Sequence, residues 1–92
     1  MLKLPVVHNV TIANTMNDED YPTPRILTFG SITLNGVTKN VGSDGVVEFT
    51  DVPEGVYTLV LKNSAGYSYP TKDNPITVDS EHTSFNILWD ER

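Results

Sequence analysis

Apolar residues alternate with more polar ones in two neighbouring segments near the middle of the chain, residues 45–50 and 56–62. A period of two predicts β-strands that bury one face. The side chains that the alternation places on the buried faces are those of Val47, Phe49, Tyr57, Leu59 and Leu61. Between the segments, Pro53–Gly55 predicts a tight turn, because proline presets φ and glycine accepts a positive φ. The centre of the chain is therefore predicted to be a strand, a turn and a strand.

Segments on either side of this centre also have strand-like patterns. Leu4–Ile12 is rich in β-branched residues and predicts a first strand, and Pro5 near its start favours an edge position. Asn35–Gly36 is the strongest hairpin signal in the chain, since both residues accept a positive φ. The other predicted strands are Arg25–Phe29, Ser31–Leu34, Val37–Thr38, Ile76–Asp79 and Thr83–Trp89. The last of these places Trp89 on its buried face.

Two segments have the composition of loops. Residues 13–24 contain the acidic run Asp18–Asp20 and two prolines without an apolar period, which predicts an exposed loop. Residues 62–75 are rich in turn-forming residues, and no window has the apolar spacing of a helix. About seven strands at this spacing predict an all-β fold, a single antiparallel β-sandwich with an Ig-like or prealbumin-like Greek key. We expect one domain over residues 1–92, with an N-terminal strand and acidic loop in 1–24 and the main sandwich in 25–92.

Composition excludes several kinds of chemistry. The 92 residues include no cysteine, so disulfides, thiolate catalysis and cysteine metal sites are all excluded. Twelve acidic against six basic residues give a net charge of −6, which opposes binding to nucleic acid and to anionic membranes. The N-terminal sequence lacks the pattern of a secretory signal, and no apolar stretch is long enough to cross a bilayer. We therefore expect no nucleic-acid partner and no membrane insertion.

The order of glycine, proline and aromatic residues in the centre of the chain is distinctive. It reads Gly45-x-Val47-x-Phe49, then Val52-Pro53-x-Gly55-x-Tyr57-x-Leu59, then Gly66-Tyr67. This order resembles the prealbumin-like β-sandwiches, among them the carboxypeptidase regulatory-like domains and the collagen-adhesin B-type repeats of surface proteins. The resemblance covers roughly residues 31–67 and implies the sandwich fold. It does not imply one function, because such sandwiches serve as spacers, adhesin stalks, carbohydrate-side modules and virion appendages.

Two activities found in this wider group depend on residues that differ here. Collagen-adhesin B-type repeats use a glutamate, two residues after the position of Leu59, to form a lysine–asparagine isopeptide bond, and this chain has Leu61 there. A bond between Lys3 and Asn86 would lack its catalyst. The transthyretin-related hydrolases end in a tyrosine-arginine-glycine-serine signature, which the C-terminal sequence NILWDER does not contain. The resemblance therefore implies a protein without either activity.

Candidate catalytic and metal-binding groups are sparse. The two histidines, His8 and His82, have no accompanying serine-nucleophile motif, so we expect ordinary structural or exposed histidines. Two loops contain side-chain oxygens of the kind that calcium prefers, namely Asn17–Asp20 in one and Asn40, Ser43, Asp44 and Asp51 near the other. Neither matches the D-x-D-x-D-G calcium motif, and solvated turns are the simpler interpretation. No catalytic residue, metal or cofactor is predicted.

Aromatic residues provide a further candidate site. Tyr21, Tyr67, Tyr69 and Trp89 are able to stack against flat amphipathic ligands such as sugar rings. Trp89 is assigned to the core by its register with Phe85 and Ile87. Tyr67 and Tyr69, two residues apart in a predicted loop, are the candidate exposed aromatic contact.

These observations predict a non-enzymatic structural or interaction protein that docks to a larger protein assembly or to copies of itself. The first hypothesis is an accessory component of a virus or phage particle, such as a capsid decoration or tail protein, and the localisation is then the virion. The alternative is a carbohydrate-binding or adhesin spacer module of an extracellular cell-surface protein. The unpaired edge expected of the first strand would dock to the partner through Leu4, Val6, Val7, His8 and Val10.

Overall fold

The computed structural model describes residues 6–17 and 22–90, and within these ranges it contains β-strands and no helix. The strands are β1 (Val7–Asn17), β2 (Arg25–Ile26), β3 (Ser31–Leu34), β4 (Val37–Asn40), β5 (Val46–Pro53), β6 (Gly55–Tyr57), β7 (Val60–Lys62), β8 (Ser68–Tyr69), β9 (Ile76–Val78) and β10 (Ser84–Asp90). The all-β prediction is confirmed. No helix in these ranges is long and apolar enough to span a membrane.

The strands form two main sheets and a short pair. In the first sheet β1 is central, and β10 pairs with one side of it. On the other side, β5 pairs with the first part of β1 and β2 pairs with residues near its end. The second sheet has the order β4-β3-β7-β8, and β6 pairs with β9. All pairs within these sheets are antiparallel except β1 with β10, which run parallel. The fold is thus the predicted sandwich, closed by a parallel pair of its first and last strands.

The edge position predicted for the first strand is correct for residues 7–10, where β5 is the only neighbour among the described residues, and wrong from Thr11 onward. From Thr11 to Met16, β1 has a neighbour on each side, because β10 pairs along one side while β5 and β2 occupy the opposite side. The strand also runs to Asn17 instead of ending at Ile12, so part of the predicted loop 13–24 is strand. Its buried face continues through Asn14 and Met16. A polar residue on that face interrupts the apolar alternation, which explains why the sequence pattern missed this extension.

The predicted strand-turn-strand centre is also rearranged. The turn at Pro53–Gly55 does not join paired neighbours, because β5 pairs with β1 whereas β7 lies in the second sheet beside β3. Asp51 has a φ of 55° at a β-bulge, and the extra residue brings both Phe49 and Val52 to the buried face. The Tyr57 hydroxyl donates to the carbonyl of Pro53 at 2.6 Å and fixes the path between the sheets.

The predicted strand 56–62 divides into β6 and β7, and the side chain of Asn74 supports the break between them. Its amide nitrogen donates to the carbonyl of Leu59 at 2.8 Å, and its oxygen accepts from the Leu59 N–H at 2.9 Å. Asn74 therefore supplies both hydrogen bonds that a neighbouring strand would give to Leu59. Leu59 itself is buried, as the alternation predicted.

Replacing Asn74 by alanine should lower the free energy of unfolding by about 1–3 kcal/mol, because both backbone groups of Leu59 would lose their partner. Urea unfolding followed by tryptophan fluorescence measures this change. The exposed Asn86 gives the matched control, and Asn86→Ala should stay within about 0.5 kcal/mol of the unsubstituted protein. Equal effects of the two substitutions would show that the Asn74 amide does not support the break.

The core lies between the sheets and matches most of the predicted buried positions. Val47, Phe49, Leu61 and Trp89 are buried, and Tyr57 is partly buried against them. The Asn35–Gly36 hairpin joins β3 to β4 with φ values of 51° and 79°, so that prediction is confirmed.

One polar side chain lies inside this core. Asn14 accepts a hydrogen bond from the Trp89 indole nitrogen at 2.9 Å and donates to the carbonyl of Gly45 at 2.9 Å. Burial of this amide is tolerated because its hydrogen-bonding groups are satisfied. Asn14 thereby ties β1 to β10 and to the turn before β5.

Candidate functional site

The parallel pairing of β1 and β10 gives the sandwich two distinct ends. We call the end where β1 begins, at Val7, the entry pole, and the end where β1 and β10 finish, at Asn17 and Asp90, the exit pole. The ten residue steps of β1 separate the poles by about 33 Å. The described chain therefore enters at one end of the sandwich and leaves at the other.

Three aromatic rings cluster where β8 lies close to the segment before β3. Tyr67 and Tyr69 meet edge to face with ring centres 4.7 Å apart, and Phe29 meets Tyr69 in the same way at 5.8 Å. Tyr67 is 47% exposed and Phe29 is 44% exposed, whereas Tyr69 is partly buried between them. We call these three rings the aromatic surface. It contains both tyrosines that the sequence suggested as a contact.

The loop that carries the aromatic surface is held by the side chain of Asn63. Its oxygen accepts from the backbone N–H groups of Ala65 and Tyr67 at 2.9 and 3.0 Å. Its amide nitrogen donates to the Tyr69 hydroxyl at 3.1 Å. Because one side chain fixes both the loop backbone and a ring, Tyr67 is presented in a fixed position, which lowers the entropy lost on binding a ligand.

An open groove of about 540 Å³ adjoins the aromatic surface at the exit pole. It is lined by Met16, Arg25, Ile26, Thr28 and Phe29. Phe29 belongs to both features, so the groove and the rings form one continuous surface. Its lining offers apolar contacts, an aromatic face and hydrogen-bonding groups, which suits binding rather than catalysis.

The residues predicted to form a docking edge lie around the entry pole and do not act as a unit. Val6 and Val7 are 49% and 40% exposed, whereas Val10 is fully buried and is excluded from the docking role. The His8 ring lies 2.9 Å from a Glu54 carboxylate oxygen, and its backbone is in register with β5. Leu4 lies outside the described residues. Docking through Val6 and Val7 stays a prediction.

The remaining polar candidates form local pairs. His82 Nδ1 lies 2.7 Å from Asp79, and the hydrogen bond from His82, together with one from the Glu81 backbone, lowers the pKa of the Asp79 carboxyl. Asp44 accepts from the N–H of Val46, as expected for a solvated turn. No group of three metal-ligating His, Cys, Asp or Glu side chains occurs within residues 6–17 and 22–90. The acidic run 18–20 lies outside the described residues.

The structure locates two of the three positions linked to isopeptide chemistry. Leu61 is fully buried in β7, at the position where the collagen-adhesin repeats that the sequence resembles would need a carboxyl group. Asn86 is exposed on β10 opposite Ala13, and Lys3 lies outside the described residues. A proton-holding carboxyl is therefore missing from the position that the resemblance identifies.

Phe29, Arg25 and Asn63 belong to the candidate site but were not singled out by the sequence pattern. Phe29 was placed in a predicted strand, yet it lies beyond β2 and before Gly30, whose φ of 88° marks a bend. The sequence signal that could have located Phe29 outside a strand was an aromatic residue directly before a glycine. The Asn63-Ser64-Ala65-Gly66 turn was another, because asparagine side chains often bond to backbone groups two residues on.

No family model and no curated protein sequence matches this chain. Among solved structures it is similar to BcpA, the major pilin subunit of Bacillus cereus, with a TM-score of 0.50 and 15% identity over 89% of this chain and 29% of that one. A variant of the same subunit gives a TM-score of 0.47 and 18% identity over 89% of this chain and 30% of the other. The chain thus spans less than a third of the pilin subunit. At this identity the likeness shows the β-sandwich fold alone.

Proposed function

We propose that this chain is a non-enzymatic structural module of an extracellular cell-surface fibre or adhesin, in which it connects the parts attached at its two ends. The observation that carries the proposal is the parallel pairing of β1 with β10, which places the two ends of the described chain at opposite poles. The extents of 56 × 26 × 21 Å show that the body is elongated. A module of this shape adds length when it is joined to neighbours at both poles.

The structural comparison supports the cell-surface hypothesis over the virion hypothesis. The neighbour with a TM-score of 0.50 is described as a major pilin subunit, a component of a surface fibre, and shares the fold over most of this chain. A virion component stays a prediction without support from this comparison. The partner we propose is accordingly a larger surface assembly instead of a capsid or tail protein.

Fractionation of the native source tests this proposal. An antibody raised against the chain would be applied to intact cells, to cell fractions and to particles separated on a density gradient. We expect accessible antigen on intact cells, removed by external protease, and a polypeptide or assembly much larger than 10.2 kDa. Antigen that sediments only with virus or phage particles, or that stays inside cells, would overturn the cell-surface assignment.

A second candidate function is saccharide contact at the aromatic surface. It is favoured by the exposed faces of Tyr67 and Phe29, which the fixed Asn63 loop and Tyr69 hold in place. Aromatic faces stack on the apolar faces of sugar rings, and a rigid site binds with less loss of entropy. This function is compatible with a surface module.

Titration with a panel of neutral and acidic oligosaccharides, followed by NMR of the Tyr67 and Phe29 ring protons, tests the second candidate. Tyr67→Ala should abolish a shift seen with the unsubstituted protein, or weaken binding by about fivefold, since loss of stacking on one ring costs roughly 1 kcal/mol. Val56→Ala is the control, because Val56 is exposed on β6, away from the three rings. Shifts that survive Tyr67→Ala, or no shift with any sugar, would count against saccharide binding.

A further inference from the structure

We infer that this module resists tension applied between its two poles, and that β1 and β10 form the mechanical clamp. Only the biological purpose of the clamp rests on the proposed connecting role, because the clamp itself is a property of the fold. The two strands are hydrogen-bonded neighbours over seven registered pairs, from Thr11 with Ser84 to Asn17 with Asp90. The resistance of these pairs depends on the direction in which force reaches them.

A pull on the two ends would load the β1–β10 pairs in shear. Force at the start of β1 draws that strand toward the entry pole, and force at the end of β10 draws it toward the exit pole. Since the strands are parallel neighbours, these movements slide one along the other. Because this pull runs along the strands and across their evenly spaced hydrogen bonds, the bonds share the force instead of opening one at a time.

Each clamp strand is also held on its other side, near the point where force enters it. β1 pairs with β5 from Val7 to Ala13, so its first residues cannot move without breaking antiparallel pairs. The end of β10 is held by residues 70–73, which we call the strap. The N–H of Asp90 donates to the carbonyl of Pro70 at 2.8 Å.

Side chains complete the strap and link the two clamp strands. The Thr71 hydroxyl donates to the carbonyl of Leu88 at 2.6 Å, and the Asp73 carboxylate accepts from the Leu88 N–H at 2.7 Å. Inside the core, the Trp89 indole donates to Asn14. A charged acceptor makes the stronger kind of hydrogen bond, so Asp73 reinforces β10 close to its loaded end.

Single-molecule pulling in two directions tests the clamp. The natural chain has no cysteine, so introduced cysteines define the attachment points. Val6→Cys with Asp90→Cys applies shear between the poles, whereas Asn17→Cys with Asp90→Cys pulls both strands from the exit pole and opens their pairs in turn. We expect a rupture force several-fold higher in the first geometry at the same loading rate. Equal forces in the two geometries would overturn the clamp.

A matched pair of substitutions tests the strap. Thr71→Val removes the hydroxyl that bonds to Leu88, and Thr38→Val removes a hydroxyl that lies 2.7 Å from that of Thr33 in the second sheet. Both should lower equilibrium stability slightly, but only Thr71→Val should lower the shear rupture force and speed unfolding under load, because forced unfolding follows the unfolding rate. If the two substitutions lower the rupture force equally, or if neither lowers it, the strap has no mechanical role.

The two proposals fail separately. Pulling measures the isolated chain and is independent of where the protein resides. A strong directional clamp in a protein found inside cells would refute the surface role and keep the clamp. A surface-exposed chain that ruptures at equal force in both geometries would refute the clamp and keep the surface role.

Discussion

Replacing Trp89 by alanine should lower the free energy of unfolding by about 3–5 kcal/mol, the usual cost of truncating a fully buried aromatic side chain. Trp89 has no exposed surface and lies among side chains of both sheets. Small domains have only about 5–15 kcal/mol of stability, so this variant should be largely unfolded at moderate urea concentration. Urea denaturation followed by circular dichroism measures the effect, because the substitution removes the only tryptophan.

Trp89→Phe separates packing from hydrogen bonding. Phenylalanine keeps a ring in the core but removes the indole N–H, so the Asn14 oxygen loses its 2.9 Å partner. We expect a loss of about 1–3 kcal/mol, which is the cost of leaving a buried polar group unpaired. If Trp89→Ala cost no more than Trp89→Phe, the packing assigned to this side chain would be wrong.

The burial of Trp89 could be predicted from sequence because it depends on a local pattern. Phe85, Ile87 and Trp89 alternate along one strand, and the alternation fixes their common face whatever strand lies beside it. Phe49 and Leu61 are buried for the same reason. Local periodicity therefore predicted most of the core and several of the strands, whereas β8 and the end of β1 lie in segments predicted as loops.

Pairing between strands could not be predicted in this way. Asn14 looked like a loop residue, and its burial is explained by Trp89, which is 75 positions away in sequence. The edge assigned to the first strand was wrong from Thr11 onward for a similar reason, because there its parallel partner is the last strand of the described chain. Whether a strand lies at an edge depends on all the pairings in a sheet, and Pro5 alone did not determine them.

The candidate site was predictable to the same limited extent. Tyr67 could be proposed as exposed because it lies in a turn-rich segment with no apolar alternation. Its neighbour Phe29 is far from it in sequence, and the groove beside Phe29 combines residues of β1 with those near β2. Tyr67 could therefore be predicted from the sequence alone, whereas the continuous surface depends on the fold.

Replacing Gly45 by alanine should also be strongly destabilising, by about 2–5 kcal/mol in total, from the left-handed backbone and from overpacking. Gly45 has a φ of 77°. A Cβ atom there would lie 2.6 Å from a methyl group of Ile26 and 3.0 Å from the carbonyl oxygens of both Asn14 and Leu27. The Ile26 side chain is exposed and can turn away, but the two carbonyls belong to backbone that is already paired. The close approach occurs where β5 and β2 both meet β1.

Gly36→Ala provides the control for Gly45→Ala. Gly36 has a nearly equal φ of 79°, but no atom lies within 4 Å of its Cβ position, so only the backbone cost of about 1–2 kcal/mol applies. Hydrogen exchange should locate the difference. The N–H of Asn14 donates to Gly45 and the N–H of Leu27 donates to Asn14, so both amides should lose protection in Gly45→Ala alone. If Gly45→Ala and Gly36→Ala lost equal stability and left the protection of both amides unchanged, the backbone around Gly45, Asn14 and Leu27 would move apart at little cost. The close approach at Gly45 would then not hold β1, β2 and β5 together.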